Sequence, residues 1–223
     1  MNLRSFTSLS DLVTAAARAI VQRVRPEGRT VIALSGGSTP KPLYELLGQS
    51  PWREQLEAAE ITWVVVDERH VPRDDPQFNA AMIERTLFAQ GLPPSHRFLF
   101  FDTAEGDAEA TAAGFERRWR ELAIEQLDVI LLGCGDDGHT ASLFPGTPVL
   151  EVDDRVAAAV YVPRLEQWRV TLTLPVIRAA GVRYVLAAGE KKRAIIEEIR
   201  AGADYPVVRA TGGDIETWWL VAD

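Results

Sequence analysis

A histidine two residues after a carboxylate, in a loop rich in glycine, is the grouping in this chain best suited to moving a proton. It lies in Gly133-Cys134-Gly135-Asp136-Asp137-Gly138-His139-Thr140, just after the apolar run Val129 to Leu132. An imidazole has an ordinary pKa of about 6.5, so near neutrality much of it is unprotonated and can take a proton from water. A neighbouring carboxylate orients such a base and stabilises the imidazolium that forms. His139 is thus a candidate general base and Asp137 its candidate partner. A lone histidine is more often structural. Here the flanking glycines let the chain turn sharply after a buried strand, which favours the functional reading.

Other loops offer groups that could hold an anion. Ser35-Gly36-Gly37-Ser38-Thr39-Pro40 combines glycines, whose backbone N–H groups can approach a ligand closely, with hydroxyl donors. With Thr39 as cap and Pro40 as first helical residue, it would open a helix whose unpaired N–H groups and dipole favour an anion. An ordinary tight turn is the plain alternative. The run matches neither the G-x-x-x-x-G-K-[ST] phosphate loop nor the G-x-G-x-x-G dinucleotide fingerprint. Asp67-Glu68-Arg69, with His70 beside it, sets three charges directly after another apolar run, where a solvated turn or an ion pair would also serve. Arg169, and Lys192 within Gly189-Glu190-Lys191-Lys192-Arg193, are further cations. Most Lys and Arg serve only solubility. If Arg169 and Lys192 converge on the first loop, they complete a phosphate pocket, the guanidinium as a fork and the ammonium as a point charge. Lys191 and Arg193 stay open as alternatives to Lys192.

These groups meet only if the strands before them share a sheet. Val31 to Leu34, Ile61 to Val66 and Val129 to Leu132 are continuous apolar runs, each ending in one of the loops above. Helical spacing follows Ser10, a plausible cap, through Leu12, Val13, Ala16, Ala19, Ile20 and Val24, and recurs at Leu43, Leu46 and Leu47. Further helical stretches cover Ala80 to Gln90, with Asn79 opening the first of them, and Glu105 to Glu125. Additional strands are expected at Phe98 to Phe101, Val156 to Val162, Val170 to Leu174, Tyr184 to Ala187 and Trp218 to Val221. Alternating helices and apolar strands imply an α/β fold: a single domain over 1–223, with a Rossmann-like doubly wound, mostly parallel sheet and helices on both faces. In such sheets ligands sit at the carboxyl ends of the strands, where these loops converge.

Composition limits the partners. The chain has 223 residues, with 24 Lys and Arg against 32 Asp and Glu, a net charge of −8. That balance argues against nucleic acid, which needs a face rich in cations, but not against a small anion held by a few local donors. The single Cys134 forms no internal disulfide and belongs to no CxxC pair, which suggests a reducing, cytoplasmic compartment. Asp11 and Arg18 interrupt the N-terminal apolar residues, so no signal peptide is expected. No apolar run reaches the roughly 18 residues a membrane span needs.

Taken together, the segments Leu34 to Pro40, Asp67-Glu68-Arg69, Leu131 to Gly146, Arg169 to Thr173 and Gly189-x-x-Lys192 resemble the 6-phosphogluconolactonases of the glucosamine-6-phosphate isomerase/6-phosphogluconolactonase family. They stand in the family's order, from about residue 30 to 195, and the long third segment is the most specific. The resemblance implies hydrolysis of 6-phospho-D-glucono-1,5-lactone to 6-phosphogluconate without metal or organic cofactor. It implies a catalytic set of His139 as base, Asp137 orienting it and Arg69. Gly36, Gly37, Ser38, Thr39 and Asp67 would line the substrate, and Arg169 and Lys192 its phosphate. Whether Asp67 or Glu68 touches substrate or braces the crevice is open. The expected partner is this small sugar phosphate, with no nucleic acid or membrane, on a monomer or weak homo-oligomer.

The sister deaminases of the same family typically carry His-Ile-Ala-Phe-Asn-Glu-Pro-Gly at the histidine, where the glutamate serves sugar-ring opening. Here Phe144 stands in that place, and an apolar ring transfers no protons. A deaminase or isomerase is therefore the lesser alternative, beside a sugar-phosphate sensor that has lost turnover. The chain departs from the lactonase pattern at Phe78-Asn79, where the family usually has Ser-Asn. It departs again at Pro163-Arg164-Leu165-Glu166-Gln167-Trp168, which replaces a Pro-rich approach to Arg169.

Overall fold

The structure, a computed structural model, describes residues 2–212 and 216–222. In chain order the strands are β1 (Asn2–Phe6), β2 (Arg29–Leu34), β3 (Glu60–Val65), β4 (Asp67–Arg69), β5 (His96–Leu99), β6 (Val129–Gly133), β7 (Ala157–Val162), β8 (Gln167–Leu172), β9 (Val182–Ala188) and β10 (Glu216–Ala222). The helices are α1 (Leu9–Val21), α2 (Lys41–Leu47), α3 (Trp52–Glu57), α4 (Asn79–Thr86), α5 (Ala108–Glu121), α6 (Leu174–Arg178), α7 (Glu190–Arg200) and α8 (Pro206–Thr211).

Seven strands form one sheet in the order β1-β10-β9-β6-β2-β3-β5, with every pairing parallel. In β2, β3, β6 and β9 consecutive residues are buried. Neighbouring side chains point to opposite faces, so both faces of the sheet are covered, as continuous apolar runs require. From β2 the chain winds outward through β3 to β5, and from β6 outward through β9 to β10. The winding direction therefore reverses between β2 and β6, and a crevice opens there beyond the strands' carboxyl ends. The glycine loop after β2 and the histidine loop after β6 flank that crevice.

The strands expected near residues 156–162 and 170–174 do not join this sheet. They form β7 and β8 of a separate antiparallel sheet, order β4-β8-β7. Its third member is Asp67–Arg69, read from sequence as a loop; three charged residues carry no strand periodicity, and only pairing with β8 makes them one. Val66 links the two sheets, its N–H donating to Leu34 O at 3.0 Å and its carbonyl accepting from Leu172 N at 2.8 Å. Ser8, not Ser10, caps α1: its Oγ accepts from Asp11 N at 3.1 Å. Thr39 caps nothing; Pro40 occupies the cap position of α2 without a side-chain bond. Both shifts arise because helical spacing sets a helix's face more sharply than its first turn. β1, α3, α6 and α8 escaped the sequence reading altogether.

Beneath β3, Trp63 Nε1 donates to His96 Nδ1 at 3.1 Å, and His96 Nε2 lies 3.1 Å from Leu56 O. This geometry needs the neutral ring with its proton on Nε2, and burial lowers the His96 pKa. The contribution to stability is therefore full above the ordinary histidine value and is lost as pH falls through the lowered one. Thermal melts from about pH 7 to about pH 5 should show Tm falling on acidification, less steeply in His96→Gln, which cannot titrate. Equal slopes would contradict this role for His96.

Candidate active site

β6 ends at Gly133, and the chain turns at once: Gly135 N donates to His139 O at 2.8 Å and Gly138 N to Gly135 O at 3.1 Å. Gly138 adopts φ +73 with the Tyr205 ring against it, and Val207 N pins its carbonyl at 3.0 Å. Position 135 has no room for a methyl group, because a Cβ there would overlap the His139 ring. The tight turn brings Asp137 Oδ1 onto His139 Nδ1 in a close hydrogen bond, and the same oxygen also accepts from His139 N at 3.3 Å. With Nδ1 occupied, Nε2 is the ring nitrogen left for chemistry. The Phe144 ring stacks on the imidazole at 4.2 Å between centroids, 24° between planes. Asp137 Oδ2 meets Arg164 Nη2 at 2.7 Å. Burial works to raise the Asp137 carboxyl, but the hydrogen bond and charge of His139, with Arg164, hold it below its ordinary value.

The second sheet delivers cations. In the β4–β8 ladder Arg69 pairs directly with Arg169. Like charges face to face are unfavourable in a sheet, and here they make a place where an anion is welcome. Arg169 is only 8% exposed, and burial pushes its guanidinium below the ordinary arginine value. Arg69 Nη1 donates to Gln77 O at 2.7 Å. Among the described residues, six buried side-chain polar atoms lack a partner, and four of them belong to residues lining one cleft: Ser35, Arg69, Thr140 and Arg169. Unpaired buried polar groups are costly and cluster where a ligand completes them. Lys192, near the start of α7, reaches the same cleft and is paired with Asp136.

The cleft, of about 280 Å³, is lined by Gly36, Gly37, Ser38, Thr39, Asp67, Arg69, His139, Arg169 and Lys192. The base and the binding groups expected from sequence thus face it, while Asp137 stands behind His139. Lys191 and Arg193 are not among its lining, and His70 turns away, its Nε2 lying 3.1 Å from Gly106 O. A wider hollow of about 530 Å³ shares Gly37, Ser38, Arg69 and Asn79 with the cleft. Gly36 has no room for a side chain because Asn79 packs against it, while Asn79 Nδ2 donates to Asp67 O at 2.8 Å.

The two acids of β4 divide. Asp67 lines the cleft and its Oδ2 accepts from Ser142 Oγ at 2.7 Å. Glu68 points inward, 0% exposed, and takes the backbone N–H groups of Arg69, Asn79 and Ala80 at 2.9, 2.7 and 2.8 Å. It is the cap of α4 supplied from another strand, and burial pushes its carboxyl up to about 8 against the pull of those three bonds. Sequence reasoning missed this role, along with Ser142 and Arg164. A capping signal was absent because residue 78 is Phe.

Residues 7–219 match the family described as glucosamine-6-phosphate isomerases/6-phosphogluconolactonase. The chain belongs to that family. Within it, the chain is 39% identical over 210 residues to 6-phosphogluconolactonase of Synechocystis, covering 87% of this chain and 81% of the relative. Against 6-phosphogluconolactonase of Haemophilus influenzae it is 32% identical, covering 99% and 97%. The crystal structure of 6-phosphogluconolactonase from Leishmania guyanensis superposes with a TM-score of 0.86 at 27% identity, covering 99% of this chain and 96% of that one. The parallel α/β architecture of the family is the one expected from the apolar runs.

Replacing Glu68 with Ala strips the acceptor from three N–H groups at a buried helix start. Urea unfolding should show a loss of about 1–3 kcal/mol or more; an unchanged midpoint would mean α4 is not held this way.

Proposed function

We propose that the chain hydrolyses 6-phospho-D-glucono-1,5-lactone to 6-phosphogluconate, the lactonase step of the oxidative pentose phosphate pathway, with His139 as general base. The observation that carries this reading is His139, backed by Asp137, facing the same cleft as Arg69, Arg169 and Lys192. The names of its relatives support the same substrate.

The chemistry follows from the geometry. Nδ1–H is held by Asp137, so Nε2 takes a proton from water as its oxygen attacks the lactone carbonyl carbon. The developing oxyanion needs donors, and the Thr140 hydroxyl, buried in the cleft without a partner, is one such group. Collapse of the tetrahedral intermediate breaks the ring C–O bond, and the imidazolium returns its proton to the departing ring oxygen. Asp137 stabilises the imidazolium between these steps. A δ-lactone is an activated ester, so a positioned base contributing about 10²–10⁴ is of the right order. Arg69, Arg169 and Lys192 supply positive charge for the phosphate, and the glycine loop closes around the sugar. For this, Lys192 must exchange its Asp136 partner for substrate. With Cys134 buried and unpaired, we place the enzyme in the cytoplasm.

Ring opening in a deaminase needs a proton-transferring side chain at position 144. Phe144 is 3% exposed and lies flat on the imidazole, so that reaction has no acid or base there.

His139→Ala should lower kcat for the lactone by about 10²–10⁴, measured above spontaneous hydrolysis, while 6-phosphogluconate still binds. Full activity in that variant would remove His139 as base. Gly135→Ala should keep the fold but push the imidazole aside, lowering kcat by about 10². Ammonia release from glucosamine 6-phosphate should be absent; a clear signal would overturn the lactonase reading.

A further inference from the structure

Arg164 stands at the tip of the β7–β8 hairpin, in the stretch where the chain departs from the lactonase pattern. Its Nη2 lies 2.7 Å from Asp137 Oδ2, and its guanidinium carbon sits 5.0 Å from the centre of the Phe144 ring. Phe144 stacks on His139, and His139 bonds Asp137. Four side chains thus close a circle: imidazole to carboxylate, carboxylate to guanidinium, guanidinium to phenyl ring, phenyl ring back to imidazole.

We propose that Arg164 is a positioning residue for the base, fixing the plane of the Asp137 carboxylate so that Oδ1 stays on Nδ1 and Nε2 stays toward the cleft. The inference rests on the reading of His139 as base. An aspartate bonded through one oxygen can still swing about its Cβ–Cγ bond, and a partner on the second oxygen stops that motion. Phe144, covered by Arg164 on its way to the imidazole, fixes the ring from its face. The Arg164 side chain is 53% exposed. An ion pair of that exposure contributes little to stability, so its removal should disturb the dyad and leave the fold in place.

The charge of Arg164 also offsets part of the Asp137 charge felt by the imidazole. Other charges face the dyad. Asp136 neighbours it but is paired with Lys192 from α7. Arg169 of β8 lies 6.0 Å from the Phe144 ring, and Asp67 and Arg69 of β4 share the cleft. The Tyr205 ring packs on Gly138 beneath it, with its hydroxyl bonded to Glu198. None of these touches Asp137 Oδ2 as Arg164 does.

The test compares wild type, Arg164→Ala and Arg164→Lys on 6-phosphogluconolactone, with kcat and KM followed across pH. The Nδ1–H proton of His139 is observed separately by NMR without substrate. Arg164→Ala should lower kcat about tenfold with KM within about twofold and broaden the Nδ1–H signal by solvent exchange. Arg164→Lys, which keeps the charge but not the fork, should recover part of kcat. A raised KM at unchanged kcat would overturn the proposal by making Arg164 a substrate ligand. Unchanged kinetics and an unchanged Nδ1–H signal would reduce it to a surface ion pair. If His139→Ala retains activity, the base reading fails alone, and the Nδ1–H signal still decides whether Arg164 holds the dyad.

Discussion

The passage of the backbone through Val66 is the constraint on which the rest of the cleft depends. One residue hydrogen-bonds into both sheets, donating to Leu34 at the end of β2 and accepting from Leu172 at the end of β8. Immediately beyond it, Asp67, Glu68 and Arg69 are locked into the antiparallel ladder. The small sheet is thereby set at the mouth of the parallel one, and its cations face the histidine loop. Glu68, turned inward, then ties the same strand to the start of α4, where Asn79 packs under the glycine loop. Three segments distant in sequence are joined through one strand of three residues.

Electrostatics explains how an acidic chain holds an anionic substrate. A net charge of −8 is spread over the whole molecule, and salt screens exposed charges over about 10 Å. Arg69 and Arg169, paired across a ladder with buried and unpartnered Nε atoms, act at short range and behind partial desolvation, where screening is weak. The backbone ladder holds the two guanidinium groups on one face despite their mutual repulsion. The site is in this sense preorganised, as a charge-binding pocket must be if binding energy is not to go into assembling it.

The imidazole is held by contrasting neighbours. Asp137 fixes its edge, Phe144 its face, and the missing side chain at position 135 leaves space for the ring itself. Phe144 presents an apolar face to the imidazole, so at this position the chain steadies the ring and offers no group that could take or give a proton.

Much of this was legible in the linear chain because it depends on local rules. Continuous apolar runs implied buried parallel strands. Glycine around Asp137 and His139 implied a sharp turn that sets the imidazole beside a carboxylate, and the order of the loops implied that they would meet at the strand ends. Other features had no local signal. Asp67–Arg69 became a strand only through pairing with residues 169–171, the cap of α4 came from Glu68 eleven residues upstream of Asn79, and Arg164 found Asp137 from the tip of a hairpin. The sequence by itself determined which residues could bind charge and move a proton. Tertiary structure alone decided which of them share a face, because register and long-range pairing arise from contacts between segments and leave no period within any one of them.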